Sequence, residues 1–278
     1  MIRRPVQILF LVLLGLVVAL SGCTQPTPPS ASGLPAALAE PGDHYRTIQH
    51  DGLTREYLVH VPKSYDGTRA VPLLMSFHGG GGNMEFQASD ERFGQITASE
   101  HEGFVVVFPN GYSRLPGGKL ATFNAGGCCG PAKEDNADDV GFARAVVADV
   151  TNQLNIDRER VFATGFSNGA MLTHRLACEA SDVFRAIAPV AGSDMTTSCE
   201  PQHPVSVFII NALDDDHVLY AGGVGEQSVD RQNMVNSPSV PETLSRWLSR
   251  DQCQPTPRRV LERVGAHCDS YGGCRGGS

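Results

Sequence analysis

Apolar residues fall in short runs that are separated by polar, glycine-rich segments. Residues 71–77 and 104–108 are continuous apolar runs, as expected for strands buried on both faces of a parallel sheet. Between them, residues 83–100 have the length and composition of a helix that ends at Gly103. A strand, a glycine loop, a helix and a second strand in this order predict a parallel α/β sheet.

The rest of the chain continues this alternation. Residues 45–50 and 55–61 predict an antiparallel hairpin that turns at Asp51-Gly52. Further strands are predicted at 161–164, 186–190, 205–210 and 259–264, and further helices at 140–154, 170–179 and 241–249. The long aperiodic segment 110–139 follows a strand, a position typical of a functional loop over the carboxyl edge of a sheet.

The N-terminus has the pattern of a bacterial lipoprotein signal. Arg3 and Arg4 precede the apolar run 8–20, which is short for a membrane span and ends in Leu20-Ser21-Gly22-Cys23. We therefore predict a signal peptide over 1–22 and lipidation of Cys23, the alternative being an ordinary secretory signal. Residues 23–42 are rich in Pro, Ser and Thr and predict a flexible tether, so that the folded domain covers 43–278. The expected location is the cell envelope or the medium, with membrane contact only through the lipid.

The charge and composition of the chain indicate which kinds of partner and cofactor to expect. The 278 residues carry a formal net charge of -8 and have a pI near 5.6, without a Lys/Arg cluster beyond the signal, which argues against a nucleic-acid partner. The histidines and acids show no spacing typical of a metal site, and the glycine loop after residue 77 lacks the Lys-Ser/Thr ending of a phosphate loop. We expect a monomer without metal or cofactor.

Gly165-Phe166-Ser167-Asn168-Gly169 lies between a predicted strand and a predicted helix. This is the setting in which G-x-S-x-G forms a nucleophile elbow, a sharp turn that exposes a serine at the carboxyl edge of an α/β-hydrolase sheet. A side chain at either glycine would collide with the adjoining strand or helix. The sequence therefore predicts an α/β-hydrolase fold with Ser167 as nucleophile.

A serine nucleophile needs donors for the oxyanion, a base and an acid. The predicted donors are the amide of Asn168 and one from the glycine loop, at Gly79 or Gly80. The acid should follow a later strand, where Asp214, Asp215 and Asp216 compete. By chain order the base should come after the acid and one more strand, and His267 alone has that position, either in a loop or at the end of a hairpin arm whose partner is missing.

Five segments of the chain form a distinctive series. In order, they are His78-Gly79-Gly80-Gly81-Gly82, the paired-cysteine stretch 124–130, Asp138-Asp139-Val140-Gly141-Phe142, the elbow with Ala170-Met171, and Ala188-Pro189-Val190-Ala191-Gly192. The same order is found in the polyhydroxybutyrate depolymerase-like esterases, which include feruloyl and acetylxylan esterases of the carbohydrate esterase family 1 type. The chain thus resembles this family over roughly 45–277. Matched against 211–220, the stretch that follows the family's acid-bearing strand puts the catalytic acid on Asp215.

The C-terminus departs from that pattern. The family's triad histidine lies in a Gly-Gly-His-x-Trp-Pro-Gly segment after a final strand, whereas Trp247 is the single tryptophan here and falls in a predicted helix. Residues 271–277 resemble the turn just upstream of the missing strand. We expect the chain to stop before that strand and its base; the alternative is that His267 substitutes for the base.

Eight cysteines in an exported chain predict disulfides. Without Cys23, seven remain, and the predicted pairs are Cys178 with Cys199 and Cys253 with Cys274. Cys128 and Cys129 pair with each other or elsewhere, and the sequence does not decide the connectivity.

Three functions follow from these residues. The first is a serine esterase that hydrolyses feruloyl or acetyl esters of plant cell-wall polysaccharides, or short polyhydroxyalkanoate esters. The second, motivated by the missing histidine segment, is a catalytically inactive lipoprotein that binds an ester or a carbohydrate. A prolyl oligopeptidase-like peptidase ranks below both because the paired cysteines point to the esterases.

Overall fold

The computed structural model of the protein describes residues 38–225 and 236–278. Its strands are β1 (Gly42–His50), β2 (Leu53–Val61), β3 (Val71–Phe77), β4 (Val105–Pro109), β5 (Ile156–Phe166), β6 (Ala186–Val190), β7 (Ser206–Val207), β8 (Arg258–Arg263) and β9 (Ala266–Ser270). Its helices are α1 (Met84–Gln87), α2 (Asp90–Phe93), α3 (Gln95–Glu102), α4 (Gly130–Glu134), α5 (Asp139–Gln153), α6 (Asn168–Glu179) and α7 (Val240–Arg250). Two 3-10 turns occupy Pro116–Gly118 and Arg275–Gly277.

Seven strands form one sheet in the order β1-β2-β4-β3-β5-β6-β7. The pairs β1–β2 and β2–β4 are antiparallel, and all other neighbours in this sheet are parallel. The hairpin predicted at Asp51-Gly52 is confirmed, with positive φ at both turn residues. The predicted parallel α/β sheet is confirmed as well.

The continuous apolar runs arise because helices cover both faces of the sheet. In β4, Val105 and Val107 face the main core, which also holds side chains of α5 and α6. Val106 and Phe108 face the opposite cluster, with Met84 of α1. Since successive side chains of a strand alternate between faces, a strand covered on both sides has no polar position.

Three predictions of local structure differ from the fold. The single helix predicted at 83–100 is divided into α1, α2 and α3. Ser89, in an extended conformation (ψ 107°), separates the first two, and Gly94, in a left-handed conformation (φ 63°), separates the last two. The predicted strand 205–210 is regular only over β7, although a bridge from Val190 to Ile210 continues its direction. The strand predicted at 259–264 corresponds to β8, which pairs with β9 in a separate two-stranded sheet. The hairpin arm predicted to lack a partner strand therefore has one within the chain.

Two disulfides join the cysteine pairs predicted from the sequence. The predicted partners lie at bonding distance, with Cα atoms 4.8 Å apart for Cys178 and Cys199 and 3.9 Å apart for Cys253 and Cys274. Cys128 is joined to its neighbour Cys129.

The predicted signal peptide (1–22), the lipidation site Cys23 and most of the tether lie outside the described residues. Leu38, which falls within the predicted tether, is buried in the main core, so the folded domain begins before residue 43. Over 38–225 and 236–278, no helix has the length and apolarity needed to cross a membrane.

Candidate active site

Ser167 occupies a strained turn between β5 and α6. Its backbone has φ 52° and ψ -117°, a region that residues other than glycine rarely adopt. The turn is held on both sides, because the Ser167 amide donates to the Val190 carbonyl (2.9 Å) and the Met171 amide donates to the Ser167 carbonyl (3.0 Å). This strand-turn-helix geometry is that of a nucleophile elbow.

Three glycines let the backbone segments approach at this turn. A Cβ at Gly165 would lie 2.8 Å from the Ala170 nitrogen, and one at Gly169 would lie 2.6 Å from the His78 carbonyl oxygen. A Cβ at Gly192 would lie 2.7 Å from the carbonyl oxygen of Ser167. The first two contacts explain the glycines of the motif, and the third explains a glycine that the elbow motif does not include.

The glycine loop after β3 lies directly against the elbow. The Cβ position of Gly79 is 3.5 Å from Cβ of Ser167, and that of Gly80 is 3.5 Å from Cβ of Asn168. Further along the loop, the Gly81 and Gly82 amides donate to backbone carbonyls. By contrast, the amides of Gly79, Gly80 and Asn168 donate to no acceptor within the described part of the chain. These three amides are therefore available to an oxygen atom beside Ser167.

His78 fixes the orientation of this loop. Its Nδ1–H donates to the Gly79 carbonyl (2.7 Å), and its Nε2 accepts from the Gly111 amide (3.0 Å). The Gly82 amide donates to the same Gly79 oxygen (3.0 Å). Because the carbonyl and the next amide of a planar peptide point in opposite directions, these bonds direct the Gly80 N–H away from His78. Burial lowers the pKa of His78 to about 4, partly opposed by its bond to Gly79, so the ring is neutral at pH 7.

Asn168 positions the elbow through its side chain as well as its amide. Its Oδ1 accepts from the Phe123 amide (2.7 Å), and its Nδ2 donates to the Phe123 carbonyl (2.9 Å). The Phe123 ring in turn packs against the ring of His78, with centroids 4.6 Å apart. The sequence motif indicates only the backbone role of Asn168. The side-chain role depends on a residue 45 positions away.

The paired-cysteine segment packs beside the elbow helix. Cys129 Sγ lies 3.9 Å from Sδ of Met171, one helical turn after Ser167. Cys128, Met171, Met195 and Val218 belong to one buried apolar cluster. This cluster connects α6 to the loop that follows Asp215.

A buried ion pair between Arg55 and Asp139 fixes the start of the paired-cysteine segment. Arg55 donates to Oδ1 of Asp139 (2.7 Å), and the Asn124 amide donates to Oδ2 (2.7 Å). Burial raises the pKa of Asp139 above its ordinary value, opposed by Arg55 and by the Asn124 amide. Asp138 is the N-cap of α5 and accepts from the Gly141 amide, whereas Asp139 serves the buried pair.

Asp215 is partly buried in the loop after β7. Its Oδ1 accepts from the amides of His217 and Val218, both at 2.9 Å. The His217 ring bonds instead to Asp216 (2.6 Å), and both side chains are largely exposed. The ligand atoms of Asp215, Asp216 and His217 lie within 4.8 Å of one another, but these hydrogen bonds within the loop account for their arrangement.

A histidine base is not assembled at Ser167 among residues 38–225 and 236–278. No imidazole of this part of the chain is hydrogen-bonded to the Ser167 hydroxyl or to the Asp215 carboxylate. His267 lies on β9, opposite Glu262 of β8, in a hairpin outside the main sheet.

Curated relatives were found for most of this chain, although no protein-family model matches it. Feruloyl esterase B of Piromyces equi is 28% identical over 80% of this chain and 40% of its own length. A probable feruloyl esterase C of Aspergillus clavatus is 30% identical over 62% of this chain and 58% of its own. A bifunctional acetylxylan esterase/xylanase of Neocallimastix patriciarum is 26% identical over 75% and 28%, respectively.

These relatives confirm the resemblance to feruloyl and acetylxylan esterases. The chain spans 40% and 58% of the length of the first two. Among solved structures, one described as native sOPH matches 76% of this chain and 77% of its own, with 19% identity and a TM-score of 0.54. This likeness shows the fold alone, and the predicted α/β-hydrolase fold is confirmed.

Proposed function

We propose that this chain is an exported serine esterase that hydrolyses carboxylic esters of plant cell-wall polysaccharides. The observation that carries the proposal is the strained Ser167 beside three amides, those of Gly79, Gly80 and Asn168, that donate to no acceptor in the described part of the chain. The names of the relatives support the ester class. The candidate acyl groups on the polysaccharide are feruloyl and acetyl, and short polyhydroxyalkanoate esters are the alternative substrates.

The proposed reaction proceeds through an acyl-enzyme. The Ser167 oxygen attacks the ester carbonyl carbon, and the electron pair of the C=O bond moves to its oxygen, which accepts from the Asn168 amide and from the glycine loop. The bond to the alcohol oxygen then breaks, and the alcohol leaves with a proton. Water attacks the acyl-enzyme, releases the acid and restores the serine hydroxyl. Loss of a single oxyanion donor typically costs about two to three orders of magnitude in turnover.

We assign Asp215 as the triad acid. It follows the strand next to β6, and two backbone amides hold one of its oxygens in place. Such an acid orients a histidine, which takes the serine proton during attack and returns it to the leaving alcohol. The described residues supply no imidazole at hydrogen-bond distance to either partner.

That same observation favours a second candidate, a protein that binds an ester or a carbohydrate at this site without turning it over. Without a base, the oxyanion amides and substrate binding support only a small residual rate. In both cases we propose export with lipidation at Cys23, which the N-terminal pattern supports.

The test is ester hydrolysis by the full chain and by Ser167→Ala, with Ser245→Ala on the exposed face of α7 as a matched control. Methyl ferulate, methyl acetate and a hydroxybutyrate dimer methyl ester serve as substrates. We expect turnover that Ser167→Ala abolishes and Ser245→Ala preserves. Turnover that survives Ser167→Ala would refute the assignment. Binding of an ester by calorimetry without any turnover would select the non-catalytic function.

A further inference from the structure

Three partly exposed aromatic rings form a row that starts at Phe166, the residue before the proposed nucleophile. Phe166 is 39% exposed, and the ring of Phe93 lies 6.3 Å from it, centroid to centroid. The ring of Phe86, 41% exposed, lies 5.8 Å beyond Phe93 in an edge-to-face arrangement. We call Phe86, Phe93 and Phe166 the aromatic strip.

The strip starts at the candidate active site itself. The Cβ position of Gly79 is 3.1 Å from Cδ1 of Phe166 and 3.5 Å from Cβ of Ser167. Gly79 therefore lies next to both the first ring of the strip and Ser167, with little room for a side chain beside that ring. Because α1 and α2 follow the glycine loop directly in sequence, the segment that carries the oxyanion amides also positions Phe86 and Phe93.

The hydrophobic core does not account for these rings. α2 buries none of its side chains, and none of the three phenylalanines is among the buried core residues. The guanidinium of Arg92 lies 4.9 Å from the ring centre of Phe86, so the far end of the strip also carries a positive charge. Contiguous exposed apolar surface next to a polar catalytic group is typical of a ligand site.

We propose that the aromatic strip binds an aromatic ring of the ester substrate and thereby selects aromatic over small aliphatic esters. Aromatic side chains pair with a ligand ring by offset stacking or edge-to-face contact, which a methyl group cannot reproduce. The inference rests on the proposed ester hydrolysis at Ser167 but assigns residues to substrate selection. The ring belongs either to the acyl group or to the alcohol, and the experiment below distinguishes the two.

The test uses Phe93→Ala in the full chain, because this residue supports no core packing and the variant should fold. Phe208→Ala is the matched control, since Phe208 is 55% exposed and lies beyond β7. Specificity constants are measured for methyl cinnamate against methyl acetate, and for benzyl acetate against ethyl acetate. The first pair varies the acyl group and the second varies the alcohol.

We expect Phe93→Ala to lower kcat/KM about tenfold for the aromatic member of one pair and less than twofold for its aliphatic partner. Phe208→Ala should leave both values unchanged. Equal losses for aromatic and aliphatic esters, or no loss, would overturn the proposal.

A binding measurement separates this inference from the proposed function. Methyl cinnamate is titrated by calorimetry into Ser167→Ala with and without Phe93→Ala. A Kd raised about tenfold by Phe93→Ala supports the strip even if the wild-type chain hydrolyses no ester, in which case the proposed function alone fails. Absence of binding would overturn the strip. Displacement of methyl cinnamate by unsubstituted xylotetraose would also overturn it, because the surface would then bind sugar rings.

Discussion

Acid should destabilise the folded domain through His174, a residue of α6 without a proposed role in ester hydrolysis. This histidine is fully buried on α6, and its Nδ1 accepts from Nε1–H of Trp247 on α7 (2.9 Å). Desolvation lowers its pKa to about 4; Asp194 opposes that shift, and the guanidinium groups of Arg250 and Arg246 add to it. The folded chain thus keeps the ring neutral under conditions in which the unfolded chain protonates it.

The magnitude follows from proton linkage. Below the ordinary pKa of 6.5 the unfolded state takes up a proton at this site, whereas the folded state does so only near pH 4. Stability is therefore lost as the pH falls from about 6.5 to about 4. One pKa unit corresponds to about 1.4 kcal/mol, so His174 should cost about 3 kcal/mol across that window. His78, which has a similarly low pKa, should add a comparable loss.

The assay is urea unfolding from pH 4.5 to 7.5, followed by the fluorescence of Trp247, the single tryptophan of the chain. His174→Asn removes the titration while its amide oxygen retains an acceptor for the indole N–H. The variant should be less stable at pH 7 because of its smaller side chain. Between pH 6.5 and pH 4.5, however, its free energy of unfolding should fall less steeply than that of the wild type, with a difference in slope of about 1.4 kcal/mol per pH unit.

A control separates this effect from general acid denaturation. His101→Asn removes an exposed histidine from α3 and should leave the slope unchanged. Parallel pH profiles for the wild type and His174→Asn would refute the reasoning, because they would show that the buried ring does not resist protonation.

Two further substitutions probe the framework of the site. Gly169→Ala would place a methyl group 2.6 Å from the His78 carbonyl oxygen, so thermal unfolding should reveal a loss of at least about 2 kcal/mol; an unchanged Tm would contradict so close an approach of the end of β3 to α6. Asp139→Asn should cost about 3–5 kcal/mol in urea unfolding because it leaves the Arg55 charge buried without its carboxylate, whereas Asp182→Asn at an exposed ion pair should cost less than about 1 kcal/mol. Equal losses for the two aspartates would argue against a buried pair.

The elbow and the glycine loop are predictable from sequence because their constraints are local. Gly165 and Gly169 flank the serine at fixed spacing, and the strand and helix on either side have their own apolar patterns. The division of 83–100 into three helices was not predictable in this way, because the polar residues there suit a helix. Gly94 signals the second break, but nothing about Ser89 signals the first.

The roles of residues whose partners lie far away in the chain could not be predicted from the sequence. The sequence does not indicate that the ring of His78 accepts a hydrogen bond from the Gly111 amide. It also does not indicate that the side chain of Asn168 bonds to the backbone of Phe123. Asp139 is the first residue of α5, yet its side-chain partner is Arg55, 84 positions earlier. The aromatic strip joins 86 and 93 to 166, and no spacing reveals that contact.

The sequence by itself determined the parallel α/β sheet, the strained serine and the amides beside it, since apolar periodicity and glycine sterics act over a few neighbouring residues. Only the tertiary structure decided which buried polar groups meet, that β8 pairs with β9 outside the main sheet, and which aromatic rings flank Ser167. Those outcomes depend on packing between segments that are far apart in the chain, because a buried polar group takes whichever partner the fold brings within hydrogen-bond distance.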